Sequence, residues 1–250
     1  MSGERTRTVL LGLLGIVLFL ILWEVIGRFR LVGLTWPPFT EVLVYLFDPS
    51  RRPLFQRAIS ATLHSMMLGY VIGAGIGLAL SSVGHLAPPL KPGADRLSAV
   101  VHAIPSIALA PIFIVLLSRN AAPVALAALN AFFVFYVAGS SGFGAASRTH
   151  VDLMRAFGAT RAQRFRHVDL PAAIPSIVSG MKLAVPASLI GAILGEWFGA
   201  PRGLGILIVN AMQNFQIPLL WSAVVLAAIT SLTLFTAMTI LERTVYERFR

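Results

Sequence analysis

Four polar residues stand out because each interrupts or ends a long apolar stretch: His64, His102, Asn130 and Glu196. Ionisable groups inside a bilayer are costly, so they tend to face a bundle interior or a solute path. The same side chains can also make purely structural contacts, and Glu196 beside Trp197 could anchor the chain at the membrane interface. The sequence therefore offers all four as candidates for a translocation path and leaves the structural interpretation open.

A second chemical signal lies at residues 139–142, which read Gly-Ser-Ser-Gly and fit the Gly-x-Ser-Gly pattern of intramembrane serine proteases. A nucleophilic serine needs a base within hydrogen-bond reach. The later apolar stretches contain no histidine, and His150 and His167 lie in a polar loop. The protease is therefore the weaker alternative, because four small residues equally suit close packing of helices.

Composition excludes several other function classes. The chain has no cysteine, which removes disulfides and cysteine-ligated metal sites, and we predict no metal site. It has no Gly-Lys dipeptide, and hence no phosphate-binding loop of the P-loop kind. We therefore expect no catalytic residue and no cofactor on this chain. The net charge of +10 comes from arginines between apolar segments, which suits anionic lipid headgroups rather than nucleic acid.

The elements that position these residues are predicted to be membrane-spanning helices. Of 250 residues, 57% are hydrophobic and 12% charged, whereas a soluble domain carries about 25% charged residues. A helix needs about 20 apolar residues to cross a bilayer. Without a separating polar linker, we predict one all-α membrane domain over residues 1–250, and no signal-peptide cleavage site follows its first span. The six predicted spans are 8–27, 58–83, 100–118, 121–142, 177–198 and 218–241.

The distribution of lysine and arginine predicts the orientation. With the N-terminus inside, twelve basic residues fall on the inner side and seven on the outer side. Both termini and the loop 143–176 are therefore predicted to be cytoplasmic. Five outer arginines lie between the first two spans, among them Arg51, Arg52 and Arg57. They could contact lipid headgroups, attract an anionic solute or dock an acidic partner, and the sequence leaves their role open.

Glycines in the second span predict close helix packing. Gly69, Gly73 and Gly77 recur every fourth residue, and this spacing of small residues lets helix backbones approach each other in lipid. Packing within one subunit is favoured over packing between two copies.

The inner loop at 143–176 contains the most informative pattern. Asp152 precedes a run of good helix formers and is placed to favour a helix start. Leu153, Ala156 and Phe157 fall on one helix face. Gly158 interrupts this pattern at a cost of about 1 kcal/mol relative to alanine, which indicates a bend or the close approach of another backbone.

Pro171 and Pro175 follow the loop. Because proline lacks an amide hydrogen and disrupts a helix interior, we expect them to break the chain before the fifth span.

This loop resembles the cytoplasmic "EAA" loop of ABC importer permeases, whose pattern is Glu-Ala-Ala, three residues, Gly, nine residues, Ile-x-Leu-Pro. Leu153 and Met154 replace the two alanines. The likeness continues at residues 36–38, 103–109 and 202–205, and it is closest to the nitrate/sulfonate/taurine-type permeases. The matching positions in the loop are Asp152, Gly158, Val168, Leu170 and Pro171.

The resemblance implies a type I importer permease fold in the bacterial inner membrane, with six spans and a coupling helix. Such a chain is a non-catalytic subunit that works with two copies of an ABC ATPase, which bind ATP and Mg²⁺. A second permease copy in a homodimer and an extracytoplasmic solute-binding protein complete the assembly. The residues implied to form or brace the ATPase joint are Asp152, Leu153, Ala156, Phe157, Gly158, Ala159, Val168, Leu170 and Pro171.

The solute is left open by the sequence. An anion such as a sulfonate or nitrate suits the outer arginines, and a pyrimidine-like solute fits nearly as well. A secondary transporter without an ATPase is the alternative from another class. It predicts repeated halves with broken helices, but no convincing repeat is present and the loop pattern would have no explanation.

Overall fold

The protein is helical throughout the part that this computed structural model describes, which is residues 2–248 without the side chains of residues 2–6, 9 and 248. Met1, Phe249 and Arg250 of the predicted domain lie outside the described residues. No strand occurs between residues 2 and 248, so the predicted all-α fold is confirmed. The helices are α1 Ser2–Arg28, α2 Phe39–Phe47, α3 Arg52–Leu86, α4 Lys91–Ala103, α5 Ser106–Leu116, α6 Ala121–Phe143, α7 Arg148–Ala156, α8 Arg161–Arg164, α9 Leu170–Glu196, α10 Leu204–Gln213 and α11 Ile217–Arg248.

Five helical segments within the described residues are long and apolar enough to cross a membrane. They are Leu10–Arg28, Pro49–Leu86, Ala121–Phe143, Arg161–Glu196 and Ile217–Glu247. A sixth crossing exists if Pro88–Ala103 and Ser106–Leu116, which are bent by 92° relative to each other, form one broken span.

The helix breaks inside the span that was predicted at 100–118. Ile104 has an extended backbone, with φ −75° and ψ 121°, and it directly precedes Pro105. The proline ring disfavours the helical conformation for the residue before it. The chain therefore ends α4 at Ala103 and starts α5 in a new direction at Ser106.

The chain forms two compact units, and the first comprises residues up to Gln56 together with Leu207–Leu226. Three partly exposed tryptophans of this unit lie against each other. The ring centroids of Trp36 and Trp221 lie 4.6 Å apart, and those of Trp23 and Trp221 lie 4.9 Å apart. The indole of Trp23 donates a hydrogen bond to the carbonyl of Pro37 at 3.1 Å, and the indole of Trp221 donates one to the carbonyl of Thr35 at 2.9 Å. These bonds fix the proline-rich turn before α2.

Arg51 in this unit has partners of its own. Its guanidinium donates hydrogen bonds to the Tyr45 hydroxyl and to Asp48 Oδ2, and it lies 3.7 Å from the centroid of the Tyr45 ring. Hydrogen bonds from the Ser50 hydroxyl and amide, followed by those from Arg51, hold the pKa of Asp48 below its ordinary value. Arg51 is thus engaged in a local structural contact.

The second unit comprises Arg57–Ile206 and the chain from Ala227 onward. Its core forms where α3 and α9 pack against α6. A Cβ atom added at Gly69, Gly73 or Gly77 would overlap α6, meeting backbone atoms from Val124 to Tyr136. The three glycines therefore allow direct contact between helix backbones within one chain. Buried residues of α6, such as Ala127 and Phe135, fill the centre of the same core.

The chain does not break at Pro171 and Pro175, and that prediction was wrong. α8 continues through a π-helical turn, Phe165–Asp169, directly into α9. Pro171 is the second residue of α9, directly after the π turn, and the fixed φ of proline is compatible with the helical conformation there. Pro175 lies inside α9 after the wider π turn, in which the amide of Leu170 donates to the carbonyl of Phe165. α9, which corresponds to the fifth predicted span, consequently begins seven residues earlier than predicted.

An ion pair joins α9 to α11 inside the second unit. Lys182 Nζ donates to Glu242 Oε2 at 2.6 Å, and the Ser179 hydroxyl donates to Glu242 Oε1 at 2.7 Å. Both charged side chains are mostly buried. Because an unpaired charge would be costly in such surroundings, the pair fixes the N-terminal half of α9 against α11.

Candidate functional site

The loop between α6 and α9 contains a short helix that ends in a glycine turn. The amide of Gly158 donates to the carbonyl of Arg155 at 2.9 Å, and the amide of Ala159 donates to that of Met154 at 3.0 Å. These two bonds, with φ +68° at Gly158, form a Schellman motif. Gly158 therefore ends α7, whereas the sequence pattern predicted a longer helix with Gly158 inside it. No atom lies within 4 Å of a Cβ built at Gly158, so the glycine serves the bend rather than a close approach by this chain.

Both ends of α7 differ from the prediction. The helix begins at Arg148, so Asp152 lies in its second turn and was wrongly placed at the helix start. Asp152 is exposed and pairs with Arg155 at 3.2 Å. The next helix, α8, begins with a capping box: the amide of Thr160 donates to Gln163 Oε1 at 2.8 Å, and the amide of Gln163 donates to Thr160 Oγ1 at 3.3 Å. The Thr-x-x-Gln spacing is a known sequence signal for a helix start, and it was missed.

α7 and its C-terminal turn expose large apolar side chains. Leu153 is 52% exposed and Phe157 is 79% exposed, and Ala156 is also open to solvent. Leu153, Val168 and Pro171, three of the predicted coupling residues, line one groove of about 400 Å³ together with His150 and other residues of α7 and the loop. Leu170 is 39% exposed beside it. The structure thus presents an apolar ridge and a groove on the same loop.

A second groove beside the loop is strongly basic. It has a volume of about 490 Å³, and Ala159 and Thr160 from the turn after α7 lie in its wall. Five basic side chains are also in the lining, which are His85, Lys91, Arg155, Arg161 and Arg164.

Asp169 holds this loop in place and was missed by sequence reasoning. Its side chain is buried, and its Oδ2 accepts a hydrogen bond from Arg164 Nε at 3.1 Å and lies 2.8 Å from His85 Nε2. His85 lies at the end of α3, so one carboxylate ties the loop to that helix. Asp169 occupies the unspecified position between Val168 and Leu170 in the Ile-x-Leu-Pro pattern. The motif therefore gave no reason to select it.

Glu196 lies at the opposite end of α6 and α9 and organises a different turn. It is 1% exposed, so the interpretation as an interfacial anchor was wrong. Its Oε2 accepts hydrogen bonds from the Thr62 hydroxyl at 3.0 Å and from the Gly205 amide at 2.7 Å. Thr62 Oγ1 in turn accepts one from the Leu204 amide at 2.8 Å. Gly203, with φ +141°, packs so closely on the carboxylate that a Cβ would overlap it. A place for Glu196 on the solute path stays a prediction.

The other candidates for the solute path lie in two further places of the second unit. Asn130 Nδ2 donates to Ser106 Oγ at 3.1 Å, and the His102 ring stacks on Phe133 with 3.7 Å between centroids. Ser106 and His102 flank the break between α4 and α5, so these contacts fix the bend against α6. His64 is exposed on α3 and lines a separate pocket. The structure thus distributes the four predicted residues over three sites.

The Gly-Ser-Ser-Gly segment takes part in helix packing. A Cβ at Gly139 would meet Ser81 of α3, and one at Gly142 would meet Ala173 and Ser176 of α9. The small residues of this pattern thus serve the contacts of α6 with its two neighbours.

Comparisons with known proteins identify relatives of one kind. Residues 71–250 match the family described as "Binding-protein-dependent transport system inner membrane component". The chain is 28% identical over 240 residues to the formylaminopyrimidine transport permease protein of Halalkalibacterium halodurans, covering 96% of both chains. It is 25% identical over 244 residues to the putative aliphatic sulfonates transport permease protein of Bacillus subtilis, covering 96% of this chain and 88% of the relative.

A solved structure shares the fold. The inward-facing MetNI methionine ABC transporter contains a chain that superimposes with a TM-score of 0.71 at 21% identity, covering 80% of this chain and 99% of the other. The predicted type I importer permease fold is confirmed by this likeness.

Proposed function

We infer the function of this chain from its family: it belongs to the binding-protein-dependent transport system inner membrane components. We propose that it is the permease subunit of an ATP-driven importer and that the loop between α6 and α9 couples it to a separate ATPase. The carrying observation is α7, an exposed amphipathic helix that ends at a glycine turn and presents Leu153 and Phe157.

Burial of these side chains by a partner supplies the driving force for docking. Fully burying a leucine or phenylalanine side chain contributes about 1.5–3 kcal/mol. The buried Asp169, held by His85 and Arg164, connects the docking surface rigidly to α3 and α9. Movement of the ATPase groove would then reach the membrane helices through a fixed joint rather than through a loose linker.

In the proposed assembly two ATPase subunits hold ATP and Mg²⁺, and a second copy of this chain completes the membrane part. An extracytoplasmic solute-binding protein delivers the solute. The excess of basic residues on the loop side supports a cytoplasmic position for this loop and both termini. Relatives named for pyrimidine and sulfonate transport support a small organic or anionic solute.

The coupling role is tested in the reconstituted transporter, made of the full chain, its ATPase and its binding protein. Gly158→Arg, or a deletion across 152–160, should leave membrane insertion intact and abolish co-purification of the ATPase and solute-stimulated ATP hydrolysis. The matched control is Gly33→Arg, because Gly33 also has positive φ and open surroundings but lies in another loop. Normal assembly of the Gly158→Arg complex would overturn the assignment. Uptake driven by an ion gradient without any ATPase would favour a secondary transporter.

A further inference from the structure

A pocket with two arginines in its lining lies at the end of the second unit opposite the coupling loop. It has a volume of about 600 Å³, within the range of small-molecule sites. Three chain segments build it: the part of α3 around His64, the turn between α5 and α6, and the turn after α9. Its polar lining consists of His64, Ser65, Ser118, Arg119, Asn120 and Arg202.

The electrostatics of this pocket favour an anion. Arg119 and Arg202 contribute two guanidinium groups, and no carboxylate is among the lining residues. Neither arginine forms a hydrogen bond or ion pair with another residue between positions 2 and 248. Guanidinium groups bind sulfonate-like, phosphate and carboxylate oxygens through paired N–H donors. The positive end of the α6 dipole, at Ala121, adds to the same potential.

The position of the pocket connects it to transport. α6 begins at the pocket and ends at the coupling loop, and its 23 residues span about 35 Å at 1.5 Å per residue. The two sites therefore lie on opposite sides of the membrane, and the pocket faces outward if the loop is cytoplasmic. Its wall follows α3 from Ala61 to Leu68, which corresponds to about 10 Å of depth.

We propose that this pocket is an entry site for small oxyanions, such as the sulfonate, phosphate or carboxylate group of the transported solute, bound by Arg119 and Arg202 beside His64. The inference rests on the proposed importer function and narrows it to an anionic solute. The concave shape favours a small solute over an acidic protein surface, because a flat partner would leave the wall at His64 and Leu68 uncovered.

The absence of cysteine from the sequence allows a clean test. A single reporter cysteine, Ser65→Cys or Asn120→Cys, is introduced into the full chain in nanodiscs of phosphatidylcholine. Two membrane-impermeant thiol reagents of similar size are compared, an anionic sulfonatoethyl and a cationic trimethylammonioethyl methanethiosulfonate. Both rates are normalised to a free thiol. We expect the anionic reagent to be favoured by about tenfold, since a cleft lined by one charge sign concentrates counter-ions by this order or more.

Variants identify the source of this preference. Arg119→Gln and Arg202→Gln should each reduce it several-fold, whereas Arg57→Gln, which removes another predicted outer arginine outside the pocket, should leave it unchanged. Millimolar methanesulfonate or phosphate should slow the labelling, and glycerol should not. An equal rate for both reagents at both reporters would overturn the proposal.

Two further outcomes would assign the pocket to another occupant and so overturn it as a solute site. Protection only in phosphatidylglycerol nanodiscs, and not by soluble anions, would indicate a lipid headgroup. Protection only by the solute-binding protein would indicate a docking surface for acidic residues. None of these measurements needs the ATPase, so their failure is distinguishable from a failure of the coupling assignment at Gly158.

Discussion

At one end of α6 the chain exposes Leu153 and Phe157 on a short helix, whereas at the other end it buries Glu196 beneath a glycine-rich turn. The exposed end has its own support, because the buried Asp169 pairs with Arg164 of the loop and with His85 at the end of α3. The buried end has an open pocket beside it, lined by Arg119 and Arg202. Each end therefore combines one buried carboxylate with one surface that no other described residue between 2 and 248 covers, apolar in one case and cationic in the other.

The difference agrees with the two proposals, which assign a protein partner to one end and an anionic solute to the other. An apolar ridge gains stability when a protein groove covers it, and such contact favours durable association. A cationic pocket instead attracts anions over a distance, with a strength that depends on salt. The first surface suits a permanent subunit, and the second suits a solute that must arrive and leave.

The largest expected loss of stability is at the turn that covers the buried Glu196 carboxylate. Gly203→Ala should destabilise the protein by about 4 kcal/mol, because backbone strain at positive φ costs about 1–3 kcal/mol and overpacking adds a similar amount. Its Cβ would overlap the Glu196 carboxylate. Gly199→Ala is the matched control, since φ is +108° there but nothing lies within 4 Å. The free energy of unfolding of the detergent-solubilised chain is measured for both variants. Equal losses of stability would show that contact with Glu196 is unimportant.

The corresponding change at the coupling end is Asp169→Ala. It leaves Arg164 and His85 without their shared partner in a largely buried place, and breaking a buried pair costs about 3 kcal/mol or more. Asp152→Ala removes an exposed pair with Arg155 and should cost less than about 1 kcal/mol. Thermal unfolding gives the stability difference, and co-purification of the ATPase gives its effect on the joint. Similar stability of the two variants would contradict the structural role of Asp169.

The smallest expected effect is at Gly158, where two substitutions distinguish the need for the turn from the need for close contact with the partner. Gly158→Ala should cost about 1 kcal/mol because φ is +68°, and Gly158→Asn should cost less because asparagine tolerates this region. If only the turn matters, ATP hydrolysis stimulated by solute recovers in the asparagine variant. Failure of both variants at unchanged chain stability would instead show that the partner backbone approaches this position closely.

Several of these features could be predicted from the sequence, because the residue type itself gives the physical reason for the structure. Gly158 was selected by its spacing to Val168, Leu170 and Pro171, although its helix context was wrong. Gly69, Gly73 and Gly77 were selected because only small residues at every fourth position allow close backbone contact. The helix break before Pro105 also had a local signal, which is the proline itself. Hydropathy did not indicate the break, because the apolar stretch continues across the bend.

Other features had no local signal. Asp169 is one acidic residue in a basic loop, and only the fold brings the end of α3 to it. Lys182 and Glu242 are 60 positions apart, and Arg119 and Arg202 belong to separate turns. A sequence pattern indicates how a residue affects its own backbone, whereas these pairs depend on which helices pack against each other.

The sequence by itself predicted that this chain is an all-helical membrane protein with a loop that resembles the importer type. Long apolar runs, sparse charge and a fixed glycine-to-proline spacing are sufficient for that, since they act through local backbone and solvation. Only the tertiary structure decided that Glu196 is a buried brace, that Asp169 fixes the loop, and that two arginines share a pocket. Those outcomes depend on distances between residues remote in the chain, which are set when the helices pack against α6.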